Sequence, residues 1–179
     1  VIKLPSIAKI EIKEKESVPD LSSIILTGDG NLMRNQLREL SNKQITFNKE
    51  ECNPLCDKDC GCTSLRDLPK AASDGLTLLA INVGTPDNPI VVTAGTENYI
   101  ISATGKTVHK SHGRGKSVVY LRLINGDRLD TFVQKNGTPL PNTSQGDPSY
   151  DVTIGNTRIT FVKELSSANP HWHVSFRAI

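Results

Sequence analysis

The stretch from Tyr150 to Phe161 constrains the fold more tightly than any other. With Gly155-Asn156 as a two-residue loop, Tyr150, Val152 and Ile154 meet Phe161, Ile159 and Thr157 on one face. Asp151, Thr153, Arg158 and Thr160 fall on the other. Side chains alternate across a strand, so a slip of one residue would turn the whole apolar set to solvent. The pattern therefore specifies both an antiparallel hairpin and its register. A glycine first in the loop suits a type II′ turn.

Other segments repeat this period of two. Trp172, Val174 and Phe176 alternate with His171, His173 and Ser175, which predicts a last strand over Trp172–Arg177. Val119, Leu121 and Leu123 alternate before Asn125-Gly126, and Leu129, Thr131 and Val133 alternate after it. A three-residue loop, 125–127, pairs Leu123 with Leu129 and Val119 with Val133, so the expectation is a hairpin with an odd-length loop or a bulge at Gly126. The apolar run Leu76–Val83 reads as a buried strand, and Ile24–Thr27, Ile45–Phe47, Ile90–Val92 and Tyr99–Ile101 as short ones. Asn136–Pro148 reads as a long loop. One helix is predicted, over 31–40, with Asn31 as its N-cap and Met33, Leu37 and Leu40 as its apolar stripe. The expected fold is mainly β: an antiparallel β-sandwich, jelly-roll-like, with that one short helix. Residues 1–69 would form an N-terminal arm and helix-containing segment with a cysteine-rich loop, and 70–179 the sandwich.

The 179 residues suffice for one domain with an arm. A net charge of +2 shows no whole-chain bias toward nucleic acid. No apolar run approaches the ~20 residues of a membrane-spanning helix. The start, Val1-Ile2-Lys3-Leu4-Pro5, has neither an initiator Met nor a signal-like apolar run, as expected of a processed or trimmed chain. In residues 1–16, Ile10 and Ile12 alternate with Lys9, Glu11 and Lys13, a strand able to pair with its own sheet or a neighbouring subunit's edge.

All four cysteines, Cys52, Cys56, Cys60 and Cys62, lie within eleven residues. The spacing C-x3-C-x3-C-x-C lacks the paired C-x2-C knuckles usual for zinc. An even, clustered count suits two disulfides, with zinc or free thiols as the alternatives. Gly105-Lys106-Thr107 and Gly115-Lys116-Ser117 resemble the end of a phosphate-binding loop. The earlier glycine is missing from each, since Ile100 and Lys110 stand there. Lys106, Lys110, Arg114, Lys116, Arg122 and Arg128 form the one local charge imbalance, a basic patch for an acidic ligand or simply a solvated surface. His109 and His112 form one histidine pair. His171 and His173 share a strand face suited to two metal ligands, but no third ligand is legible, so no metal or other cofactor is expected outside the cysteine cluster. Asn136 and Asn142 fit the glycosylation sequon, and no carboxylate pair marks an acid and a base.

The run Pro89–Thr96, through Tyr99–Ser102 and Gly105–Val108 to Ser117–Asp127, resembles the short-strand β modules of bacteriophage fibre and other virion appendage proteins. The resemblance covers about residues 76–133. It implies a structural or attachment role, often in trimers, and no catalysis. The leading expectation is thus a non-enzymatic subunit that assembles with itself, through the 1–16 arm, into a virion or an extracellular filament. A β-sandwich glycan-binding module and a hydrolase using His171 or His173 are the alternatives.

Overall fold

A helix that is apolar on nearly every side must be buried, and one such helix organises this fold. The structure is a computed structural model. It describes residues 19–48, 63–97, 99–102, 105–108, 112–123 and 128–179, with the backbone alone for 99–102 and 105–108. The buried helix is α2, Lys70–Val83, in which every residue from Leu76 to Val83 is buried. The strand expected over Leu76–Val83 is thereby corrected. A short apolar run has no period of its own, and its type is decided by what flanks it. Here Lys70-Ala71-Ala72-Ser73 precedes it and carries the helix back to Pro69. The polar residues of the helix satisfy themselves locally. Thr77 Oγ1 donates to the Ser73 carbonyl at 2.8 Å, and Asn82 Nδ2 to the Leu78 carbonyl at 2.8 Å. Such back-bonding allows hydroxyl and amide side chains inside an apolar layer.

The helix packs on a seven-stranded mixed sheet of order β1-β2-β5-β9-β8-β7-β6. Its strands are β1 (Ile45–Phe47), β2 (Ile90–Ala94), β5 (Val118–Arg122), β6 (Thr138–Leu140), β7 (Ser149–Ile154), β8 (Thr157–Glu164) and β9 (His171–Ala178). The β1–β2 pair is parallel, with α2 in the connection between them; all other pairs are antiparallel. The ribbon of β3 (Tyr99–Ser102) and β4 (Gly105–Val108) stands apart from this sheet. The chain is β-rich, but among the described residues helices, not a second large sheet, cover the apolar face. Contacts of α2 with β7, β8 and β9 occupy the place that a facing sheet takes in a sandwich.

The β7–β8 hairpin has the register its alternation specifies: Tyr150 faces Phe161, Val152 faces Ile159 and Ile154 faces Thr157. Gly155 has φ +56°, while Asn156 stays out of the left-handed region, as a type II′ turn requires. The last strand also stands as expected, with Trp172 and Val174 fully buried and Phe176 nearly so.

The other expected hairpin does not form. β5 pairs with β2 and β9, and 128–136 is instead helix α3, Arg128–Asn136. Leu129 and Val133 fit either period, being four residues apart. Phe132 decides between them: a strand would turn it away from its neighbours, whereas the helix buries all three. The Asn125-Gly126 turn lies outside the described residues. The 136–148 loop is shortened at its start, where Asn136 ends α3 and β6 pairs with β7.

Helix α1, Gly30–Leu40, carries the predicted stripe, with Met33 and Leu37 fully buried and Leu40 half-buried. Its cap is Asp29 instead of Asn31, the carboxylate accepting from the N–H groups of Asn31 and Leu32 at 3.0 and 3.1 Å. Arg34, off the stripe in sequence, is nonetheless buried and donates to the Thr63 carbonyl at 3.0 Å. No strand forms over Ile24–Thr27, which follows a 3-10 turn, Leu21–Ser23. The Gln36 side chain serves as a strand partner there, accepting from the Ile25 N–H and donating to its carbonyl at 2.7 and 2.8 Å. β1 adds Ile45–Phe47 to the sheet edge as expected. One apolar cluster runs from Ile24 through α2 to Phe176, so core residues before and after position 69 pack together. The 1–16 arm lies outside the described residues.

Gly75 measures how closely α2 meets the sheet. A Cβ there would lie 2.4 Å from Phe176 Cδ1. Alanine in a helix interior gains about 1 kcal/mol over glycine, whereas overpacking a filled core costs about 1–3 kcal/mol. Gly75→Ala is therefore expected to lower stability by up to about 2 kcal/mol in urea unfolding. A stabilised variant would show that the helix and sheet can part at no cost.

Candidate functional site

Strand β9 serves both faces of the sheet. Its odd-numbered residues, His171, His173 and Ser175, point away from the core that Trp172, Val174 and Phe176 fill. In the ladder, Tyr120 of β5 is opposite His173, while Arg122 of β5 and Glu164 of β8 flank His171 on either side. Residues directly opposite in a ladder share a face. Sequence positions 120, 122, 164, 171 and 173 therefore arrive on one surface, and His112 joins them from the segment before β5.

The rings meet around Tyr120. Its centroid is 3.8 Å from that of His171, in a tilted stack, 4.4 Å from His112, edge to face, and 5.6 Å from His173. His112 and His173 lie 6.2 Å apart. His171 Nε2 is 2.8 Å from a Glu164 oxygen, and its Nδ1 is 2.6 Å from the Asn169 carbonyl. These two contacts fix the orientation of the ring. His173 differs. Burial pushes its pKa below the ordinary 6.5, the Glu164 carboxylate opposes this, and proximity to His171 lowers it further.

A second polar cluster supports the first. The Glu97 carboxylate accepts from the Gly95 N–H at 2.8 and 2.9 Å and from the Ser64 N–H at 3.0 Å. The carbonyl of the same Gly95 accepts from His112 Nδ1 at 2.5 Å. Gly95 thus links the carboxylate to the histidine, which leaves the lone pair of the neutral His112 ring on Nε2. The link requires a glycine, since a Cβ at Gly95 would sit 2.1 Å from the Ser64 carbonyl oxygen. Burial raises the Glu97 pKa to about 7, outweighing the three N–H bonds that favour its charged form.

The pairing of His171 and His173 on one strand face was legible in the sequence. His112, Tyr120 and Glu164 were not singled out as their partners, because strand order alone brings β5, β8 and β9 together. Among the described residues no group of three or more His, Cys, Asp or Glu side chains is arranged to hold a metal ion. His171, with both nitrogens engaged, is ill suited to ligation as it stands.

Of the expected basic patch, the side chains of Arg114, Lys116, Arg122 and Arg128 lie among the described residues. Arg114 pairs with Asp67, and Lys116 is exposed nearby. Lys106 sits on β4, opposite Ile101. Arg122 and Arg128 line a groove at the end of the sheet. Lys110, His109 and Cys52, Cys56, Cys60 and Cys62 lie outside the described residues. Of the two sequons, Asn136 donates to the Phe132 carbonyl at 3.0 Å and Asn142 lies in the loop after β6. No described helix is long and apolar enough to cross a membrane. No family model, curated protein or solved structure matches the chain.

A carboxyl group whose pKa is raised on folding costs stability as pH rises. Between the ordinary 4.5 and about 7 the folded state holds a proton that the unfolded state has released. The contribution from Glu97 is thus lost progressively across that window, by about 3 kcal/mol in all at ~1.4 kcal/mol per pH unit. Urea midpoints of the Glu97→Gln variant are expected to fall less between pH 5 and pH 8 than those of the parent chain. Identical slopes would place the Glu97 pKa near its ordinary value.

Proposed function

We propose that the chain is a hydrolase whose reacting groups sit on the outer face of β5, β8 and β9. The observation that carries this reading is the convergence of His112, Tyr120, His171 and His173 around one point, with Glu164 on His171. Burial lowers the pKa of His173, and a perturbed group among converging side chains is the mark of a candidate reacting site. His173, held neutral by burial, has the character of a general base for a water molecule. His171, oriented by Glu164, stacks on Tyr120 and holds that ring in place. His112 is held from behind through Gly95 and Glu97 and is a positioning residue for Tyr120.

Turnover is to be tested on fluorogenic esters, peptide amides and phosphoesters. His173→Ala is expected to lose about 100-fold or more in kcat/KM. The acidic limb of the parent's pH profile should lie below 6.5, since the neutral ring is the active form and its pKa is depressed. A blank across all three substrate classes, or a His173→Ala variant as active as the parent, sinks the proposal.

A second reading, the self-assembling virion or filament subunit, is favoured by a different observation. Ile25, Leu26 and Leu32 are 63%, 49% and 41% exposed. Gln36, which bonds Ile25, lies one turn after Leu32 on α1, so these side chains neighbour one another. Clustered apolar exposure of this kind marks association surfaces. Light scattering at high concentration should then give a multimer that Leu26→Glu disperses; a strict monomer would remove this reading.

A further inference from the structure

The end of the sheet beside His171 holds a shallow, open groove lined by Val83, Asn88, Pro89, Val91, Arg122 and Arg128 among others. Its described lining carries two positive charges and no carboxylate. Arg128 is fixed in place, its Nε donating to the Val83 carbonyl at 2.7 Å, at the end of the buried helix α2. Arg122 makes no ion pair with a described carboxylate, and it stands directly opposite His171 in the β5–β9 ladder. One arginine anchored to a helix end and another beside the candidate reacting groups thus enter the same small cleft.

We propose that this groove is an anion subsite, and that the substrate carries a carboxylate or phosphate group which Arg122 and Arg128 hold. Guanidinium groups present paired N–H donors that match either anion, and such charge-assisted bonds are about twice as strong as neutral ones. The groove is far smaller than a pocket for a whole ligand, so it suits one anionic group held at its surface. Opposite residues in neighbouring strands are about 5 Å apart. An anion on Arg122 would therefore place the next few atoms of its molecule over His171 and Tyr120. The substrate class rests on the hydrolase reading; the anion site itself does not.

The test measures binding directly. Thermal melting is followed while inorganic phosphate, and separately acetate, is added at constant ionic strength against chloride. One or both anions are expected to raise the melting temperature saturably, and the stronger of the two identifies the substrate group. Arg122→Gln, at an exposed position, should weaken that binding about tenfold or more. Arg122→Lys should recover part of it, and His173→Ala should leave it unchanged. Failure of both anions to produce a saturable rise, or equal binding by Arg122→Gln, overturns the subsite. Saturable, Arg122-dependent binding with no turnover on any substrate class keeps the subsite and overturns the hydrolase. Turnover of neutral and anionic substrates with equal kcat/KM keeps the hydrolase and overturns the substrate class.

Discussion

The whole arrangement depends on burying one helix that has no polar face. An amphipathic helix can lie on a sheet and show its other side to water. α2 cannot, because Leu76, Leu78, Leu79, Ala80, Ile81 and Val83 point in every direction around it. It needs the sheet on one side and α1, α3 and the neighbouring segments on the others. Gly75 lets the helix come close enough for Phe176 and Thr157 to pack on its backbone side. Thr77 and Asn82 could defeat the burial, but each spends its hydrogen bond on the preceding turn. The face of β7, β8 and β9 that turns inward is the one that packs on this helix.

The inward choice fixes the outward one. In β9 the residues between Trp172, Val174 and Phe176 have to face the other way, so His171 and His173 reach the outer surface together. Trp172, fully buried and edge to face with Phe161 at 5.9 Å, anchors the strand between the two histidines. Lys163 lies over the same indole ring at 5.6 Å and pairs with Asp130 of α3 at 2.9 Å. The backbone carrying the candidate reacting groups is therefore held by packing on its opposite side. Groups placed in this way have their geometry supported by the packing beneath them.

What could be read from the sequence follows the same physics. The β7–β8 hairpin and β9 were legible down to register because period two, a glycine-first loop and one apolar face all agreed. The α1 stripe was legible because Met33, Leu37 and Leu40 repeat at helical spacing. α2 was not, since a run without polar interruption has no period to read. α3 was not, because Leu129 and Val133 satisfy strand and helix alike and only the burial of Phe132 separates them. The candidate site was half legible. His171-x-His173 announces a shared face, but nothing local announces that β5 lies on one side of β9 and β8 on the other. Tyr120 and Glu164 become partners of these histidines only through strand order, which is set by how the apolar faces close around α2.

The two polar clusters differ in what holds them, and this bears on how the site can work. The His171–Glu164 pair lies on adjacent ladder positions of β8 and β9, strands held along their whole length. Its geometry should follow the core. The Gly95 carbonyl and N–H face His112 and Glu97 respectively. When Glu97 ionises in its buried setting, its electrostatic cost is borne at the join between β2, the Ser64 segment and His112. Gly95 is therefore the point at which the Glu97 carboxyl and the ring cluster meet.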